Sequence, residues 1–119
     1  MTYEMKTKTP NPSFAAICDI EPTEVYENAS HFTLIDVREA EEFVGELGHI
    51  QTSSLLSLGD IPAKLEAVPT DKPIIFICRS GARSAQACTF AHQRGLVNSY
   101  NMRGGMLLWN LLQFQTVKE

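Results

Sequence analysis

Positive charge is scarce in this chain: 10 Lys+Arg stand against 14 Asp+Glu, a net charge of -4 over 119 residues. A balance of that sign gives no general attraction to nucleic acid or to an anionic membrane, so neither is expected as a partner. Cysteine is scarce too. Cys18, Cys78 and Cys88 are too few and too scattered for a disulfide framework. No CxxC occurs and no Cys/His pair has zinc-ligand spacing, so neither a metal nor another cofactor is expected. Free thiols persist in a reducing compartment, which makes the expected localisation cytoplasmic. There is no run of apolar residues long enough to span a bilayer. The first dozen residues, MTYEMKTKTPNP, hold no apolar core for a signal peptide.

What is present is enough for one ordinary core. The hydrophobic share is 44% and the length is that of a single domain. The polar head, residues 1–13, is expected to be loose, and residues 14–119 to form the domain. Short apolar runs alternate with amphipathic stretches, the pattern of an α/β protein built on a parallel sheet. Strands are expected at Phe14–Cys18, Phe32–Val37, Ser54–Leu56, Ile74–Ile77 and Ser99–Met102. Helices are expected after Pro22, at Glu39–Val44, Ile61–Val68, Arg83–Arg94 and Gly105–Gln113. Ile74–Ile77 is the clearest strand: four consecutive apolar residues require both faces to be buried, as at the centre of a parallel sheet. Cys78 stands at its C-terminal end, where ligand sites of open parallel sheets lie.

The segment Cys78-Arg79-Ser80-Gly81-Ala82-Arg83 then carries the chemistry. A strand ends, a short turn follows, and a helix begins. Gly81 permits a tight curve, and consecutive N–H groups in such a turn form an anion nest. The helix start adds free N–H groups and the positive end of its dipole. Arg79 and Arg83 add full positive charge in an otherwise acidic chain. Such a field favours a thiolate over a thiol and needs no histidine base beside the sulfur. It also suits a bound oxyanion or a persulfide anion.

With these residues in place, the segment resembles the active-site loop of the rhodanese superfamily, in its single-domain bacterial type. Leu34-Ile35-Asp36-Val37-Arg38-Glu39 with Glu42-Phe43, Gly48-His49-Ile50, and Arg103-Gly104-Gly105 with Trp109 resemble three further signatures of that family, in order. The resemblance implies a rhodanese-like α/β fold with a five-stranded parallel sheet and helices on both faces. It implies a thiosulfate sulfurtransferase, in which Cys78 takes a sulfane sulfur from thiosulfate or a similar donor and passes it to cyanide, a small thiol or a protein thiol. Arg79, Ser80, Gly81, Ala82 and Arg83 would then bind the substrate. The alternative within the family is a persulfide carrier with poor thiosulfate turnover. Four residues separate Cys78 from Arg83, whereas phosphatases and arsenate reductases of this fold have five; the shorter loop suits a single added sulfur.

The chain departs from the family pattern at Gln51-Thr52-Ser53, where Pro-Gly-Ala is usual, and in a Phe43–Gly48 connection about two residues longer. Asp36 is expected to hold the loop or to pair with an arginine, His49 to anchor a turn, and Arg103 to be a rim cation or a solvated charge. Cys18 and Cys88 are expected to be packing residues. The last helix is apolar nearly all round, which suggests a homodimer through it.

Overall fold

The structure is a computed structural model and describes residues 3–119. Two short strands, β1 (Thr9–Pro10) and β2 (Cys18–Ile20), lead into helix α1 (Pro22–Glu27). Then follow β3 (Thr33–Asp36), α2 (Ala40–Phe43), β4 (Ser54–Leu55) and α3 (Ile61–Lys64). The chain closes with β5 (Ile74–Ile77), α4 (Ala82–Gln93), β6 (Ser99–Met102) and α5 (Gly105–Leu111). The sheet order is β1-β2-β6-β5-β3-β4. All pairings are parallel except that of β1 with β2.

β5 lies at the centre, and all four of its residues are buried, as its unbroken apolar run requires. Its alternating side chains divide the core in two. Ile74 and Phe76 join Ile35, Ile61, Leu65, Ala87 and Ala91 on the face covered by α3 and α4. Ile75 and Ile77 join Leu34, Val25, Met102, Met106 and Trp109 on the face covered by α1 and α5. Helices therefore cover both faces, and the carboxyl ends of β2, β3, β5 and β6 share one edge.

Six strands stand where five were expected, and the sixth is β1, inside the segment expected to be loose. Its order has a specific polar cause. Glu24 is buried and accepts hydrogen bonds from the Tyr3 hydroxyl, the Lys6 amide and both the amide and hydroxyl of Thr7. Burial works to raise the Glu24 pKa; those bonds outweigh it and leave the carboxyl below its ordinary range. Met1 and Thr2, also assigned to the loose head, lie outside the described residues.

Smaller differences follow from local geometry. The strand expected at Phe14–Cys18 begins only at Cys18, because the Ile17 amide bonds back to the Phe14 carbonyl and closes a turn. The helix expected over Ile61–Val68 breaks after Lys64 into a 3-10 turn at Leu65–Ala67, yet Ile61, Leu65 and Val68 are buried as the spacing predicts. Helix α5 buries Gly105, Met106 and Trp109 and leaves Leu107 and Leu111 exposed. Among the described residues no helix is long and apolar enough to cross a membrane.

Candidate active site

Cys78 directly follows β5, and the chain turns through Arg79, Ser80 and Gly81 into the first residue of α4. Gly81 adopts φ 105°, a left-handed conformation that favours glycine. This turn aims the Gly81 amide at the cysteine: its N–H donates to Cys78 Sγ at 3.0 Å. Ser84, in the first turn of α4, places its hydroxyl 3.2 Å from the same sulfur. Cys78 is 1% exposed, so its sulfur is enclosed, and polar groups stand against it. Of the loop amides, that of Gly81 makes the contact; the second comes from a side chain that the sequence reading did not single out.

The outer side of the loop is held by α5. The Met106 amide donates to the Cys78 carbonyl at 2.8 Å and the Leu107 amide to the Arg79 carbonyl at 2.9 Å. That approach requires glycine at the helix start. A Cβ on Gly105 would lie 2.5 Å from both of those carbonyl oxygens, and Gly105 has φ 57°. The paired glycines of Arg103-Gly104-Gly105 were the available signal for this contact.

The arginines divide into free and engaged. Arg79 is exposed and lines a cavity of about 410 Å³ with Arg38, Glu41, Glu46 and Leu107. Arg83 instead forms a two-pronged ion pair with Glu42, at 2.7 and 2.8 Å. The Arg83 partnership holds the Glu42 carboxyl down at about 2. The guanidinium pKa is raised by Glu42, with smaller contributions from the nearby Cys78 and Asp36. Arg103 is exposed and paired with Glu21 at 2.6 Å. Arg79 and Arg83, both expected to add positive charge at the loop, thus differ in their surroundings: a carboxylate in α2 is paired with Arg83.

Asp36 pairs with Arg38, which donates to both of its oxygens and, at 2.7 Å, to the Gly48 carbonyl. Both side chains are buried, and the pair ties the end of β3 to the turn before His49. His49 donates from Nδ1 to the Phe43 carbonyl at 2.6 Å and stacks on the Phe43 ring. These two residues shape the rim and do not touch the sulfur. Ser80 and Ala82 are exposed and, with Gly81, wall a second cavity of about 290 Å³.

Cys88 has no comparable surroundings. It is 0% exposed, its Sγ meets the Ser99 hydroxyl at 3.7 Å, and burial pushes its pKa up to about 12. Among the described residues no group of His, Cys, Asp and Glu is arranged to hold a metal.

A family model for the rhodanese-like domain matches residues 21–112. The chain is 46% identical over 76 residues to YtwF of Bacillus subtilis (strain 168), a stretch covering 64% of this chain and 71% of that one. It is 26% identical over 97 residues to the thiosulfate sulfurtransferase GlpE of Pseudomonas aeruginosa (strain LESB58), covering 82% and 84%. Its fold superposes on the crystal structure of a rhodanese-related protein from Thermoplasma volcanium with a TM-score of 0.79 and 32% identity, covering 85% of this chain and 98% of that one.

Proposed function

This chain belongs to the rhodanese-like domain family, and from that premise we propose that it is a sulfurtransferase carrying sulfane sulfur as a persulfide on Cys78. The observation that carries the reading is the 3.0 Å contact from the Gly81 amide to Cys78 Sγ, at the end of the central strand and the start of α4. An N–H donor aimed at sulfur stabilises the anion through both halves of the reaction.

In the first half, the Cys78 thiolate attacks the outer sulfur of thiosulfate or a similar donor. A new S–S bond forms, the donor's S–S bond breaks, and sulfite leaves with the electron pair. In the second half, an acceptor nucleophile such as cyanide or a thiolate attacks the outer sulfur of the persulfide, and Cys78 departs as thiolate. The negative charge moves from Sγ to the outer sulfur and back, no general base is required, and the kinetics are ping-pong. Arg79 meets the anionic donor at the mouth, and the Arg83–Glu42 pair fixes the first turn of α4. The free thiols fit a reducing, cytoplasmic setting, and the exposed leucines of α5 offer a homodimer surface.

A second reading, the persulfide carrier, is favoured by one observation. Of Arg79, Arg83 and Arg103, two are engaged by Glu42 and Glu21, and Glu41 and Glu46 stand beside Arg79. That rim attracts a dianion less than the bare sequence suggests. Steady-state turnover with thiosulfate, measured beside Cys78→Ser, tests the first reading. Rapid loading from a protein persulfide with slow thiosulfate turnover selects the second. Sulfur transfer that survives Cys78→Ser defeats both.

A further inference from the structure

Asp19 is a buried acid that the proposed reaction does not use. It sits on β2 next to Asn101 of β6 in the sheet register, and it is 5% exposed. Its Oδ1 accepts two hydrogen bonds, from Asn11 Nδ2 at 2.8 Å and from Asn101 Nδ2 at 2.9 Å. Its Oδ2 accepts none among the described residues. Yet no fully buried side-chain oxygen or nitrogen there lacks a partner. The free oxygen is therefore not sealed in. Asp19 lines the cavity of about 290 Å³ that the loop residues Ser80 and Gly81 also line, and Oδ2 is its oxygen left free to take a ligand there.

The surroundings define what the cavity attracts. Arg103 also lines it, but its charge is balanced by Glu21, whose two oxygens accept from its Nε and Nη2. The remaining walls, among them Asn11 and Phe14, are uncharged. A carboxylate oxygen with no partner in a half-enclosed space is costly, and a hydrogen-bonding cation removes the cost. A single carboxylate oxygen does not make a metal site, and no group of three or more ligating side chains exists among the described residues. An ammonium group, compact and rich in donors, fits that chemistry. Asn11 and Asp19 both precede residue 21, where the match to the family model begins.

We propose that this cavity binds the ammonium group of a small aminothiol acceptor, with Asp19 Oδ2 as its anionic partner. The proposal rests on the sulfur-transfer reading above and names the acceptor class. Anchored there, the acceptor lies against the loop whose Gly81 amide holds Cys78. Its thiol loses a proton to solvent, and the thiolate attacks the outer sulfur of the Cys78 persulfide. One S–S bond forms as the Cys78 S–S bond breaks; the acceptor leaves as a persulfide and Cys78 as thiolate, with no external oxidant or reductant.

The test compares discharge of persulfide-loaded protein by cysteamine and by 2-mercaptoethanol. Intrinsic thiol reactivity cancels in the ratio of the two rate constants when wild type is set against Asp19→Asn. An ammonium held by Asp19 predicts a fall in the ratio of about tenfold or more, the scale of a charge-assisted hydrogen bond. A ratio unchanged in the variant overturns the proposal. A second measurement uses the wild-type protein alone. Titration with ethylamine should shift the side-chain amide resonances of Asn11 and Asn101 in nitrogen-15 spectra, and an equal concentration of 2-mercaptoethanol should not; absence of the ethylamine shift also overturns it. Should Cys78 fail to load sulfur at all, the sulfurtransferase reading falls, and the ethylamine titration still decides the cavity.

Discussion

Cys78 and Cys88 are buried alike, at 1% and 0% exposure, and differ in the backbone donor that stands against the sulfur of the first and not the second. At Cys78 a strand ends, so a loop amide and the Ser84 hydroxyl turn toward Sγ. At Cys88 a helix continues, so its backbone donors are spent along the helix axis, and the side chain belongs to the apolar core beneath α4. The pair teaches that two thiols of equal burial can have different polar surroundings. Under the proposed function, what separates the sulfur-carrying residue from the packing residue is an amide aimed at the sulfur.

The largest effect that tests this contrast is the loss of the Cys78 thiol. Cys78→Ser should reduce sulfur transfer by about a thousandfold or more, while Cys88→Ala changes it less than about twofold, a size expected away from the reacting atoms; assays of sulfite release and of persulfide mass compare them. Next comes the support of the loop. Gly105→Ala forces a Cβ against the Cys78 and Arg79 carbonyls, so activity should drop by about a hundredfold from misplacement. Its melting temperature should fall by the equivalent of about 1–3 kcal/mol. If the variant keeps full turnover, α5 does not position the loop.

Charge gives smaller effects. Arg79→Ala should raise the KM for thiosulfate about tenfold through loss of a charge-assisted contact. Arg83→Ala should raise it only about threefold, because Glu42 already occupies that guanidinium. Equal effects of the two would contradict the division into free and engaged arginines.

The pH dependence of stability separates the sites further. The Glu42 carboxyl is lowered to about 2 in the fold. Its contribution is complete above the ordinary carboxylate value and is lost as pH falls through the folded one, so Glu42→Gln should flatten acid denaturation in that window. Cys88 is raised to about 12. Its contribution is complete below the ordinary thiol value and is lost as pH climbs through the folded one, so Cys88→Ala should flatten the alkaline limb. Urea midpoints measured across pH check both.

The centre of this molecule was legible in the sequence because one physical rule governs it. An apolar run such as Ile74–Ile77 has nowhere to go but between two covered faces, and the chain beyond it must turn at Gly81. The periphery followed rules that composition hides. Nothing in MTYEMKTKTPNP is apolar enough to suggest order; Tyr3, Lys6 and Thr7 are placed by one buried acceptor, Glu24, more than a dozen residues away. The site divided in the same way. Cys78 and its loop are contiguous, so the sequence displayed them together. Ser84, Asn101, Glu42 and the glycine that admits α5 come from separate elements, and only the sheet order brings them to one edge.

The hold of α5 on the loop carries a consequence for how such a site changes. Two carbonyls on the outside of the ring are clasped by Met106 and Leu107, so the circumference of the ring is metered from the far end of the chain. An added residue between Cys78 and Arg83 has no slack to occupy unless the start of α5 shifts in step. Widening this ring to admit a bulkier anion is therefore a concerted alteration at two distant stretches of sequence, and a single insertion would unseat the loop before it enlarged the opening.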